Sequence, residues 1–141
     1  MDVKERRKVE ANNDGRQTLS REACLALLAT ESIGRLGASF GALPIVLPAV
    51  FVVIDEDIVF RTNEEAKLLV AAHRAVVAFE AGRFDADGVG WTAVVQDVAR
   101  VTHVDEFASA PGIETLASWK HWPTSFVGVV PTANIAGRWI A

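Results

Sequence analysis

Twelve consecutive apolar residues, Leu43 to Ile54 (LPIVLPAVFVVI), constrain this chain more than any other stretch. An antiparallel strand with one wet face alternates apolar and polar side chains, and this one does not alternate at all. In a small barrel one face of such a strand fills the interior, so the other needs separate cover. A second subunit or a bound aromatic ligand would supply it, which predicts a homodimer. Pro48 removes a ladder donor in mid-strand, as at an edge or bulge where a ligand approaches. Downstream come an Asp55-Glu56-Asp57 turn, a returning strand from Ile58 to Arg61, and Thr62 opening a helix that runs to about His73, with Lys67 near its start. An apolar wall ending in two cations suits a ligand with a flat ring at one end and an anion at the other.

At 141 residues the chain is long enough for one domain with a real core and too short for two comfortable ones. The net charge is −4, with basic residues dispersed after the first 21 positions, which argues against nucleic acid as the main partner. Cys24 is the sole cysteine, excluding an intramolecular disulfide and a cysteine-rich zinc site; it reads as a buried structural thiol. No segment reaches the ~20 apolar residues of a membrane span. The charged N-terminus lacks a signal-peptide apolar region, so a soluble cytoplasmic protein is expected.

Residues 1–17 carry mixed charge and an Asn-Asn-Asp-Gly turn signal, and read as a flexible arm or frayed helix ahead of a folded domain at 18–141. Ser20 is a good N-cap, with Glu22 in the first turn and Leu19 placed to staple onto Cys24; the helix ends near Ser32. β signals dominate from there: Gly34–Phe40, Leu43–Ile54, Ile58–Arg61, Ala75–Ala81, then a glycine-rich acidic loop at 82–90. Trp91–Val104 reads as one long bulged strand and Asp105 to about Trp119 as a helix interrupted at Pro111-Gly112. Phe126–Ile140 supplies the last strand material. Six strands with three modest helices, mostly adjacent in sequence, predict a mainly β fold with flanking helices: an antiparallel barrel rather than a parallel α/β sheet.

Arg61, Thr62 and Lys67 have phosphate-binding chemistry: a guanidinium fork, a hydroxyl, and an ammonium near a helix start. The same residues have structural readings. Thr62 and Glu65 form a capping box, Lys67 can pair with Glu64, and Arg61 can be a solvated strand end. His73, His103 and His121 lack metal-ligand spacing, and no serine sits in a nucleophile elbow.

The order of features resembles the pyridoxamine 5′-phosphate oxidase-like, FMN-binding split-barrel superfamily. The matching residues are Ser20-Arg21-Glu22, Ile33-Gly34-Arg35-Leu36, Pro44 to Phe51, Val59-Phe60-Arg61-Thr62, Lys67-Leu68, Val77 to Glu80, Gly90-Trp91-Thr92 and Gly137-Arg138. The resemblance implies a homodimeric six-stranded split barrel with two flavin sites built at the dimer interface. It further implies that Arg61, Thr62 and Lys67 hold the flavin phosphate. Leu47, Pro48, Ala49, Val50 and Phe51 would lie along the ring, and Trp91 and Thr92 would approach from the other subunit. The expected function is an FMN-dependent oxidoreductase acting on a small organic substrate, in which the cofactor supplies the reactivity and no protein nucleophile is needed. A deazaflavin coenzyme is the nearest alternative cofactor. A dimer binding haem or flavin without turnover is the alternative function. The sequence departs from the family pattern at Glu65, where a glycine is common, and at Gly82, Asp97 and Val129. Glu64 and Glu65 add negative charge where a phosphate would sit.

Overall fold

In a computed structural model the described residues are 9–11, 16–62, 73–117 and 126–141. They form β1 (Val9–Ala11), β2 (Arg16–Leu19), α1 (Arg21–Leu28), β3 (Ile33–Phe40), β4 (Leu43–Ile54), β5 (Asp57–Thr62), β6 (Val76–Phe84), β7 (Gly90–Val98) and β8 (Arg100–His103). A 3-10 turn (Val104–Phe107), α2 (Ile113–Ala117), β9 (Phe126–Pro131) and β10 (Ile135–Ile140) complete them. All ten strands join one antiparallel sheet in the order β1-β2-β10-β7-β6-β3-β4-β5-β9-β8. The sheet curls until β7 approaches β9 across the interior.

The expected mainly β, antiparallel fold is present, but its six strands become ten among the described residues. Two of the four extra strands come from the stretch read as an arm. Arg16–Leu19 pairs with β10 and Val9–Ala11 with β2, because the edge of β10 offers backbone partners that local composition does not reveal. The segment Trp91–Val104 breaks at Ala99: β7 pairs with β6 and β10, whereas β8 pairs with β9. The final stretch folds back at 132–134, giving β9 and β10 different neighbours. The helix expected after Thr62 falls largely outside the described residues.

Local chemistry explains the better-placed elements. The Ser20 hydroxyl accepts the Ala23 N–H at 3.1 Å, capping α1 as its sequence demands. Asp55 and Glu56 take left-handed φ values of 49° and 66°, the two-residue hairpin geometry whose twist matches the flanking strands. The β4 and β5 strands therefore pair in strict register from Ile54↔Asp57 to Ala49↔Thr62.

Two cores result, one on each face of the sheet. Inside the curl, Phe51, Phe60 and Phe79 pack with Leu36, Trp91, Val95 and the buried stripe of α1; the Phe51 and Phe79 rings meet edge-on at 4.9 Å. Helix α1 lies so close to β10 that a Cβ on Gly137 would stand 2.4 Å from Cys24 Sγ. On the outer face, Val50, Ile54, Val59, Val127 and Val129 pack beneath Leu116 of α2, Ile113 and Phe107. The unbroken apolar run of β4 is explained over its second half, where odd positions fill the interior and even positions lie under α2 and the 3-10 turn.

Candidate functional site

Over its first half β4 has no such cover. Leu43, Pro44, Val46 and Pro48 are exposed, Val46 at 69 %. Strand β3 pairs with β6 only from Arg35 to Gly37, so the β3–β4 hairpin splays away from β6 beyond that point. A cavity of about 280 Å³ opens in the split, lined among others by Gly37, Pro44, Val46, Val76, Ala78 and Gln96. A largely apolar, partly preformed cleft of this kind suits a flat aromatic group.

The anion end is less uniform than the sequence suggests. Strand periodicity sends Arg61 and Thr62 to opposite faces of β5. Arg61, opposite Val50, turns to the outer core and is 6 % exposed; its Nη1 donates to the Leu116 carbonyl of α2 at 3.1 Å. Burial pulls the Arg61 pKa below its ordinary value. Thr62, opposite Ala49, faces inward, and its Oγ1 is buried with no hydrogen-bond partner among the described residues. An orphaned hydroxyl is costly unless something else supplies its partner, so Thr62 fits a polar ligand atom better than it fits a closed core. Lys67, Glu64 and Glu65 lie outside the described residues.

The other expected site residues also divide between faces. Ala49 and Phe51 are inner core, Leu47 is half-buried on the same side, Pro48 is exposed on the outer face, and Val50 is buried beneath α2. Trp91 is 4 % exposed within the core of its own chain. Thr92 points the other way, donating its hydroxyl to Glu80 Oε1 at 3.0 Å, while Arg35 Nη1 approaches Glu80 Oε2 at 3.3 Å. The Arg35–Glu80–Thr92 network was not anticipated from sequence. Its signal was available only as cross-strand register: Arg35 pairs with Glu80, and Thr92 sits beside side-chain-free Gly82. Among the described residues no group of three or more histidine, cysteine or acidic residues is placed to hold a metal ion.

A split, curled antiparallel sheet with an uncovered apolar strand at the split defines the architecture of this chain. The family model for pyridoxamine 5′-phosphate oxidase matches residues 20–132, and the chain belongs to that family. Among solved structures it is similar to the FAD binding protein of Mycobacterium smegmatis, with 29 % identity, 89 % of this chain and 99 % of that chain covered, and a TM-score of 0.66. It is similar also to a conserved protein of unknown function from Corynebacterium diphtheriae, at 28 % identity, 91 % and 100 % coverage, and a TM-score of 0.67. The FAD and heme binding protein of M. smegmatis shares the fold at 12 % identity, with 90 % and 74 % coverage and a TM-score of 0.67. No curated protein matches the chain in sequence. Among the described residues no helix is long and apolar enough to cross a membrane.

Proposed function

We propose that this chain binds a flavin against the bare half of β4 and serves as an oxidoreductase for a small organic substrate, with a second copy of the chain completing the site. The observation that carries the reading is the exposed apolar half of β4 at the split, in a chain of this family. Lys67 is the candidate cation for the phosphate. The relative of 29 % identity is an FAD binding protein, which supports a flavin without favouring FMN over FAD. When bound, a flavin supplies one- and two-electron chemistry; the chain's part is to position it and keep water from its face.

A visible spectrum of the purified protein, followed by titration with FMN, FAD and a deazaflavin coenzyme, tests the reading. Saturable binding of one of them is expected, and a colourless protein that binds none would end it. Lys67→Ala should weaken that binding by about 2–4 kcal/mol if the ammonium meets phosphate away from water. An unchanged affinity would return Lys67 to pairing with Glu64.

Binding without turnover is the second reading, favoured by the engagement of Arg61 with α2 and by Glu64 and Glu65 in sequence beside Lys67. A haem titration, and a test for reduction of the bound flavin by nicotinamide donors, separate it from the first.

A further inference from the structure

At the turn end of β4, away from the split, a second cavity of about 610 Å³ opens between two separate pieces of backbone. One wall is the tip of the β4–β5 hairpin, and the other is the 3-10 turn with the loop that follows it to Pro111. Val46 in the split and Ile54 here stand ~26 Å apart along the strand, at about 3.3 Å per residue, so the two openings are separate sites. The floor is apolar, because Ile54, Phe107 and Ala110 belong to the outer core. The loop wall is a built turn: the Ala108 N–H donates to the Asp105 carbonyl at 3.2 Å, and the Ala110 N–H to the Phe107 carbonyl at 2.9 Å. A preformed opening of this volume over an apolar floor matches the dimensions of small-molecule sites.

The rim is acidic, and its charge is answered only in part. Asp55, Asp105 and Glu106 line the opening. Glu106 is committed to Arg100, whose Nη1 and Nη2 reach its carboxylate at 3.1 and 2.8 Å. The Asp105 carboxylate stands 3.2 Å from His103 Nδ1, but that nitrogen accepts the Asp105 N–H, and this tautomer offers the carboxylate no proton. Asp55 lies on the opposite wall, and among the described residues no cation forms an ion pair with it. Behind the hairpin, Asp57 is held above its ordinary pKa by burial first, and then by Asp55, Glu106 and Glu56 against Arg100. A negative potential that the chain's own cations leave uncancelled therefore hangs over the cavity.

We propose that this cavity binds a small organic cation, an amine or guanidinium carried on an apolar body about the size of one aromatic ring. The apolar body rests on Ile54, Phe107 and Ala110, and the cationic head lies between the carboxylates of Asp55 and Asp105. A neutral ring would leave those two carboxylates unanswered, and a bare inorganic cation would gain nothing from the floor, so the site selects the combination. A metal ion is a poorer match for a second reason: among the described residues no group of three or more histidine, cysteine or acidic side chains is placed to hold one. The flavin reading makes no use of this cavity, and the inference stands whether or not the split takes a flavin.

Isothermal titration calorimetry on the full chain tests it, with phenethylamine as the probe and 2-phenylethanol as its neutral counterpart. Saturable binding of the amine is expected at millimolar concentration or below, with the alcohol weaker by about fivefold or more. Asp55→Asn and Asp105→Asn should each weaken amine binding by about threefold to fivefold, and added salt should weaken it further. Ala108→Trp, at an exposed position on the cavity wall, should abolish binding while leaving every carboxylate in place. Circular dichroism checks that each variant is folded. No amine binding by the wild-type chain, equal binding of the alcohol, or amine binding that survives Ala108→Trp or the combined Asp55→Asn and Asp105→Asn changes would overturn the inference. Displacement of the amine by a flavin would also overturn it, by assigning the amine to the split.

Discussion

Single side chains here take much of their meaning from the face they occupy. Arg61 and Thr62 are neighbours in sequence with one apparent purpose, yet a strand sends them apart and gives Arg61 to α2. Arg61→Ala should therefore cost about 1.5–3 kcal/mol of stability, the range for hydrogen bonds to charged groups, and leave flavin affinity nearly unchanged. Denaturant unfolding and flavin titration on one variant read both effects. Asp57 offers a test in pH. Burial first, then Asp55, Glu106 and Glu56 against the opposing Arg100, holds its pKa above the ordinary carboxylate value. A carboxyl raised on folding favours the fold while protonated, below its unfolded pKa, and that contribution is lost as pH rises through the folded pKa. At neutral pH ionised Asp57 is thus a net cost. Asp57→Asn should raise the melting temperature at pH 7, with the gain fading as the pH falls through the raised folded pKa and gone below the ordinary aspartate value. An equal gain at all pH values would assign the effect to something other than charge.

Helix α1 and strand β10 meet in close side-chain contact. With Gly137 replaced by alanine, the new methyl meets Cys24 Sγ and Leu19. Overpacking of this kind costs about 1–3 kcal/mol, and Cys24→Ala in the same chain should recover part of it. If the two changes merely add, the contact is not what limits the packing. At this scale the sequence was readable where local chemistry decides the outcome. The Ser20 cap, the Asp55-Glu56 hairpin and the limits of β4 follow from cap preference, turn residues and an unbroken apolar run. The pairing of Arg16–Leu19 with β10 was not readable, because this strand takes its structure from a partner more than a hundred residues away. The break at Ala99 was hidden for a related reason: β-branched residues continue through it, and only the choice of neighbouring strand changes there.

For the whole molecule, the curl of the sheet decides what is covered. Its inside is filled by the chain, the β4–β5–β9 part of its outside is roofed by α2 and the 3-10 turn, and among the described residues nothing roofs the earlier half of β4. The sequence carried half of this in β4, whose second face plainly needed cover. It could not say that the chain itself covers the later half and leaves the earlier one. Any flavin that binds only the folded chain must stabilise it in proportion to occupancy. A free concentration of 100 times the dissociation constant should add about 2.7 kcal/mol, read as a shift in the unfolding midpoint. No shift with a flavin that titrates would mean that it also binds the unfolded chain.

Cys24, the only thiol, is shut beneath the α1–β10 contact, and burial pushes its pKa up to about 11. It therefore serves as a clock for the opening of the domain. A disulfide reagent reacts with a thiolate and needs room to reach it, so modification must wait until α1 lifts from the sheet. When closing outpaces modification, the labelling rate measured against that of an unstructured cysteine gives the free energy of that opening, with no denaturant and no introduced probe. Carried out with and without a bound flavin, the same measurement would tell whether occupancy at the split is felt on the far side of the barrel.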